Sequence, residues 1–273
     1  MSIKIGFHIV PMHGSMKKMR DTWMEAEALG VDGLFTADHF FPQAVQGEKH
    51  GAHSDVVDSP NFEAMSIQAA MAATTTRPEI GCLVHAVGFR NPNLLADAAR
   101  TIDHISGGRF VLGVGAGYQE KDYVEYGYTN FGTQKSRLDD LAVALPIIKD
   151  RLEKLNPKPL RKMPIWVGSM GKEKGLRLVA QHADRWHVYG HMDHIIDCIE
   201  TLKIRCKEVG RDFSEIELAT WYSPDVLEQK NSLDDYVKLG IRTVIHPQLG
   251  PNWDMGILRE LLQWRKNAVA NGV

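Results

Sequence analysis

The chain has 273 residues, 44% hydrophobic and 24% charged, with a net charge of −2 and a pI near 6.6. This balance offers no basic field for nucleic acid or an anionic membrane, and no apolar run approaches the roughly 18 residues of a membrane span. The length admits either two domains or one large α/β barrel; no linker or low-complexity tract divides it, so one domain over residues 1–273 is expected.

The opening MSIKIGFHIV enters the first strand, residues 3–10, with no apolar core and cleavage site of a signal peptide. A helix over 15–29 precedes a strand at 33–37, and a helix over 61–76 precedes a strand at 79–85. Helix 92–105 leads to strand 110–114, and helix 134–155 to strand 165–168. Helix 173–182 then alternates with strand 185–189, helix 192–209 with strand 216–221, and helix 232–239 with strand 243–247; a helix over 255–270 closes the series. Apolar residues in the helical segments recur at three- and four-residue steps, as in Leu141, Leu145 and Ile148. Gly30, Gly210 and Gly240 stand just past their helices, where a left-handed residue ends a helix well.

About eight β-α units in series imply a parallel sheet covered on both faces, and their number and length predict a (β/α)8 TIM barrel. A doubly wound dinucleotide-binding sheet needs G-x-G-x-x-G in an early unit. Here the first unit reads HIVPMHGSMKK, and the later GVGAGY has Tyr118 in place of the third glycine. The three cysteines form no metal-type spacing, and Cys198 and Cys206 lie about 12 Å apart along one predicted helix. A reducing, cytoplasmic setting is expected.

In a barrel of this kind the catalytic groups come from the C-terminal strand ends. The second strand empties into Asp38 and His39 and then into a long loop over 40–60 that contains His50, His53 and Asp55. That loop suits a pocket wall or lid, and equally a mobile surface loop. The first strand delivers His8, the third His85, the fourth Gly115, Gly117 and Tyr118, the sixth Tyr189, Gly190 and His191, and the eighth His246. Any one of these histidines alone reads more readily as a satisfied core residue or a loop residue, but several on one predicted rim are harder to dismiss. VGSMGKEKGLRL, over 167–178, offers free amides at a helix start with Lys172 and Lys174 nearby, hence an anion site or an ordinary strand-to-helix turn. Arg109, ahead of the fourth strand, faces the opposite end of the barrel and reads as a structural ion-pair residue.

Four segments, TADHFFP, IGCLVHAVGFRNP, TIDHISGGRFVLGVGAGY and PIWVGSMGKEKGLRLVAQHADRW, resemble the luciferase-like monooxygenase superfamily, whose barrels use FMN or the deazaflavin coenzyme F420. The D-H-x-x-P and G-R-F-x-L-G-V-G-x-G patterns are most similar to the F420-dependent oxidoreductase branch. The resemblance implies a bacterial luciferase-like barrel that transfers a hydride between F420 and a small organic substrate, or alternatively an FMN-dependent monooxygenase using reduced flavin and O2. It places Asp38 against the cofactor ring and His39 beside its reactive centre, and it implies a bulge with a non-proline cis peptide at Leu83–Val84, next to Cys82. It sets Gly115, Ala116 and Gly117 along the cofactor's side chain, and Ser169, Met170 and Gly171 at its phosphate. His39 and Tyr118 are the candidate catalytic residues, since a histidine titrates near neutrality and suits proton transfer at the substrate. Relatives often dimerise through the helices of the second and third units, and the apolar FEAMSIQAAMAA over 62–73 would suit a homodimer.

The chain also departs from the family. Sugar-phosphate dehydrogenases of the branch carry an acidic residue where Tyr118 stands, and a tryptophan soon after the proline of D-H-x-x-P, where Gln43 follows Pro42. The connection from the helix over 134–155 to the fifth strand is short, so the substrate class does not carry over. No metal is expected: a metal-dependent hydrolase drawing on His8, His39, His187, His191 or His246 would want an H-x-H pair on the first strand, and His8 and His13 are spaced wrongly. A protein that binds the cofactor without catalysis is a further possibility.

Overall fold

The computed structural model describes residues 3–43, 56–171, 173–224 and 231–270. Nine parallel strands, β1 (Lys4–Val10), β2 (Gly33–Thr36), β3 (Glu79–Cys82), β4 (His85–Ala86), β5 (Phe110–Gly115), β6 (Ile165–Gly168), β7 (Arg185–Val188), β8 (Glu217–Trp221) and β9 (Ile241–Leu249), make one sheet. Its order is β3-β2-β1-β9-β8-β7-β6-β5-β4, and pairing of β3 with β5 through Ile80↔Phe110 and Gly81↔Val111 closes it. Because β4 continues the line of β3, this is the expected eight-stranded (β/α)8 barrel.

The expected third strand over 79–85 is interrupted. β3 ends at Cys82, and β4 resumes at His85, paired only with β5. The Leu83–Val84 peptide between them is cis. The Leu83 amide still donates to Thr36 O at 2.9 Å, so the chain leaves the ladder only after that bond.

Outside the barrel lie α1 (Met16–Leu29), α2 (Ala64–Thr74), α3 (Pro92–Ser106), α4 (Glu120–Val124), α5 (Gln134–Lys154), α6 (Lys174–His182), α7 (Met192–Glu208), α8 (Leu233–Lys238) and α9 (Gly256–Ala270). Local chemistry sets their ends. Ser15 accepts from the Lys18 amide at the start of α1, and Gly30 ends it at φ 97°. Glu63 caps α2 by accepting the Met65 and Ser66 amides, so that helix begins three residues later than its apolar pattern predicts. Five-residue α4, between β5 and α5, is too short for periodicity to reveal.

The core has two layers. Between sheet and helices lie aliphatic residues such as Ile5, Leu34, Leu112, Val167 and Leu176. Inside the barrel, Phe35, Leu83, Val111, Trp166, Ala219 and Ile245 fill the lumen. The N-terminal strand ends are tied together by charge: Arg185 reaches Glu79 at 2.6 and 3.0 Å, and Lys4 reaches Glu217 at 2.9 Å. Arg109 sits at this end, as expected, but makes no ion pair among the described residues. Its guanidinium donates to the carbonyls of Ala72, Thr75, Pro78 and Ser106 and to the Thr75 hydroxyl, knitting the turn before β3 to the start of β5. Cys82, Cys198 and Cys206 are buried, and no disulfide joins them. No helix of the described residues is long and apolar enough to cross a membrane.

Candidate active site

The C-terminal strand ends form a cup, and β2 delivers two differently used side chains to it. Asp38 is 3% exposed. Arg90 grips it with both arms, Nη1 to Oδ2 at 2.7 Å and Nη2 to Oδ1 at 2.9 Å, and Nη2 also donates to Glu63 at 2.6 Å. The Ala86 amide of β4 donates to Asp38 Oδ2 at 3.2 Å, and His85 Nδ1 lies 3.2 Å from the same oxygen. His85 in turn meets the Gln68 side chain through Nε2. Burial by itself would raise the Asp38 pKa, but His85 and the Arg90 guanidinium outweigh it and hold the carboxyl well below the usual range.

His39 points the other way. Its Nδ1 donates to Asp122 Oδ2 at 2.7 Å, while Asp122 Oδ1 accepts from the amides of Phe40 and Phe41 at 3.0 Å each and from Gln119 Nε2 at 2.8 Å. Every bond to this fully buried side chain is a donor's, so it acts as an acceptor and fixes the Nδ1–H tautomer of His39. His39 Nε2 has no partner among the described residues. The Tyr118 ring meets the imidazole edge-on at a centroid distance of 5.0 Å, and its hydroxyl accepts from Gln43 Nε2 at 2.8 Å. Desolvation pushes the Tyr118 phenol up to about 12 against the opposing pull of Gln43. The two candidate catalytic side chains therefore stand together.

Sequence reasoning missed Asp122 and Arg90. Asp122 lies on α4 among Glu120 and Glu125, and nothing in its spacing separates it from those neighbours. Arg90 stands between β4 and α3, where an N-terminal helix boundary is the plain reading.

The candidate cofactor segments converge on the same end. Cys82 and Leu83 are buried, and burial pushes the Cys82 thiol well above its ordinary pKa. The glycines after β5 have reasons within the protein itself: a Cβ on Gly115 would lie 2.5 Å from Val84 Cγ2, and one on Gly117, at φ 74°, would lie 2.3 Å from the Tyr123 hydroxyl. Ala116 between them is half-buried, and its carbonyl accepts from that hydroxyl at 3.2 Å. After β6, Ser169 O accepts from Trp186 Nε1 at 2.7 Å, and Gly171 O accepts from the Leu176 amide at 2.8 Å. The amides of Ser169, Met170 and Gly171 donate to nothing among the described residues, and the space beside Gly171 is open. Of the two lysines nearby, Lys174 is paired with Asp139, and Lys172 lies outside the described residues. His50, His53 and Asp55 of the expected loop also lie outside them.

The remaining strand-end histidines divide. His246 has both nitrogens engaged, by Tyr222 O and by Gln248, and exposed His191 precedes α7. His8 and His187 lie on the floor of the cup, each stacked on Trp221. Among the described residues no three of His, Cys, Asp and Glu stand together as a metal would require.

Comparison with known proteins places this geometry. The sequence pattern of the family described as luciferase-like monooxygenase matches residues 2–245. An uncharacterized protein of Mycobacterium bovis is 26% identical over 190 residues, 64% of this chain and 66% of that protein. The F420-dependent glucose-6-phosphate dehydrogenase of Kribbella flavida is 30% identical over 151 residues, 55% of this chain and 42% of that enzyme. The chain thus spans less than two thirds of the length of these relatives. Among solved structures, an F420-dependent secondary alcohol dehydrogenase in complex with an F420-acetone adduct superposes with a TM-score of 0.76 at 16% identity, covering 95% of this chain and 98% of that one. A monooxygenase from Streptomyces bottropensis gives 0.71 at 12% identity, covering 99% and 100%.

Proposed function

Because this chain belongs to the luciferase-like monooxygenase family, we propose that it is an oxidoreductase exchanging a hydride between coenzyme F420 and a small organic substrate at the C-terminal cup. The observation that carries this reading is the His39–Asp122 pair, a histidine held in one tautomer, its Nε2 without a partner among the described residues. F420-dependent enzymes among the relatives and structural neighbours support the choice of cofactor.

The residues fit such a group. The unused amides of Ser169, Met170 and Gly171, beside open space, would take its phosphate. Leu83 and Val84 would back its ring. When bound, F420 supplies the carbon that takes or gives the hydride. The chain's own part is acid-base work and orientation. Removing a hydride from a substrate C–H leaves a proton on the adjoining heteroatom, and His39 Nε2 is the group to accept it. Asp122 stabilises the imidazolium that results, as a buried carboxylate does in other histidine-based sites. Tyr118, un-ionised, would close the mouth over the substrate and offer a hydrogen bond. Asp38 contributes through the segment it holds, since its oxygens are taken up by Arg90 and the Ala86 amide.

A second reading keeps the site and uses FMN with O2, supported by the monooxygenase structural neighbour. Titrating the protein with F420 and with FMN in parallel, followed by fluorescence, decides between them. Saturable F420 binding with FMN at least tenfold weaker is expected. The reverse order favours the monooxygenase, and binding of neither overturns both.

A further inference from the structure

Two buried imidazoles reach the floor of the cup with nitrogens unused. His8, in the C-terminal half of β1, is 3% exposed, and among the described residues neither ring nitrogen makes a hydrogen bond of ordinary geometry, although the Thr36 backbone pulls weakly on the ring; His187, on β7, is 6% exposed, and its Nδ1 has no partner among the described residues. β1 and β7 are three steps apart around the barrel, yet both rings stack on Trp221 of the intervening β8, at 5.4 and 5.5 Å with interplanar angles of 29° and 19°. Tyr189 stacks on the same indole at 4.6 Å.

Such groups are unusual. Folded chains satisfy nearly all their buried polar atoms, and leaving one unsatisfied costs about 1–3 kcal/mol. This chain does satisfy His246, equally buried on the adjacent β9. Other buried side-chain atoms, such as Thr36 Oγ1 and Trp166 Nε1, also lack a partner among the described residues, but two imidazoles flanking one indole on the open side of the barrel point together to a ligand as the missing partner.

The floor also has a definite charge character. Burial holds His8 at about 3 and His187 at about 4, so both are neutral near pH 7. The ionisable groups that act on His8 are His187 and His39, and burial alone sets His187. A phosphate or carboxylate would therefore find no counter-charge here. A neutral group would find two donor-acceptor edges and a flat aromatic wall.

Resting on the redox reading above, we propose that His8 and His187 form a subsite, walled by Trp221, that hydrogen-bonds an uncharged planar ligand group bearing a polar edge. That chemistry belongs either to the cofactor's ring edge or to a ketone-like or phenolic substrate.

The test uses His8→Phe and His187→Phe in the full chain. In one arm each variant is titrated with F420 or FMN, whichever the wild type binds. In the other, the cofactor-loaded proteins are probed with acetophenone, and with glucose 6-phosphate as an anionic control, by ligand-detected NMR. A tenfold or greater loss of cofactor affinity assigns the subsite to the ring edge. Unchanged cofactor affinity with lost acetophenone binding assigns it to the substrate. No loss in either arm overturns the proposal, as does detectable wild-type binding of glucose 6-phosphate that the variants abolish. Thermal unfolding without ligand adds an independent readout: relieved of an unsatisfied group, each variant should unfold at or above the wild-type temperature, and a clear fall would make the histidines structural. Failure of the wild type to bind either cofactor would sink the redox reading instead, leaving acetophenone alone to judge the subsite.

Discussion

Asp122 and His39, 83 positions apart in the chain, meet through a 2.7 Å hydrogen bond whose carboxylate side is wholly buried. Asp122→Asn would keep the size of the side chain but present an amide that can turn its NH2 toward the ring and favour the wrong tautomer. We expect turnover to fall by about 10²–10⁴, with cofactor affinity within threefold of wild type. His39→Ala should bind cofactor equally well and lose most turnover. A downfield imidazole proton in the wild-type NMR spectrum, absent from both variants, would check the pair without any substrate. Undiminished turnover in His39→Ala would remove that residue from the chemistry.

Arg90 and Asp38 make a buried bidentate pair. Arg90→Leu strands a carboxylate in the interior and should cost about 3–5 kcal/mol of stability in urea unfolding. Arg90→Lys would supply the charge without the fork and should recover only part. Arg90→Leu combined with Asp38→Leu should be more stable than Arg90→Leu alone; if the double variant is the less stable, the stranded charge is not the cause.

Gly117 combines a left-handed backbone with a tyrosine hydroxyl where its Cβ would go. Gly117→Ala should lose about 1–2 kcal/mol for the conformation, and more for the crowding. Adding Tyr123→Phe should restore the second part and leave the first. Equal unfolding midpoints for the single and double variants would show that Tyr123 is not the obstacle.

The architecture could be read from the chain because it is written in repeating local signals. Every strand but two-residue β4, and every long helix, announces itself by its apolar pattern, and Gly30, Gly210 and Gly240 end their helices at φ 97°, 70° and 92°, as their positions suggest. The site divides differently. Asp38, His39, Tyr118 and the segments at 115–117 and 169–171 stand out as candidates because they lie at strand ends, whereas 82–84 stands out only through the resemblance to the family. Their partners do not, because Asp122, Arg90 and Glu63 come from connections, and only folding brings them near. The meaning of Gly115 was likewise hidden, since the group that crowds it, Val84, belongs to another unit.

Acid should weaken the fold through its neutral histidines. In the unfolded chain His8 and His187 would titrate near 6.5, but in the fold at about 3 and about 4. Between those limits the unfolded state binds more protons, so their contribution is complete above pH 6.5 and is lost on acidification. Each should remove about 1.4 kcal/mol per pH unit between pH 6 and 4. The depressed Asp38 acts in the same sense at lower pH, adding stability above its ordinary value near 3.8 and losing it below. Urea unfolding across pH 4–8 should show a shallower slope for His8→Phe, and an identical slope would refute the assignment.

We also propose a homodimer through α2 and α3. Much of the apolar stripe of α2, including Ile67 and Met71, is buried against its own barrel, whereas Leu94 on α3 is 62% exposed. Light scattering at micromolar concentration should give twice the chain mass, and Leu94→Glu should halve it. A monomeric wild type would discard the proposal.

The broken third strand has a last consequence. Up to Thr36 and Cys82 the wall is continuous backbone, but above that height β4 has a neighbour only in β5, and its opposite edge is met by the Asp38 carboxylate standing in for a missing strand. The rim at that point is thus a seam closed by side chains, with the Asp38 carboxylate meeting the Ala86 amide and itself anchored by the Arg90 guanidinium.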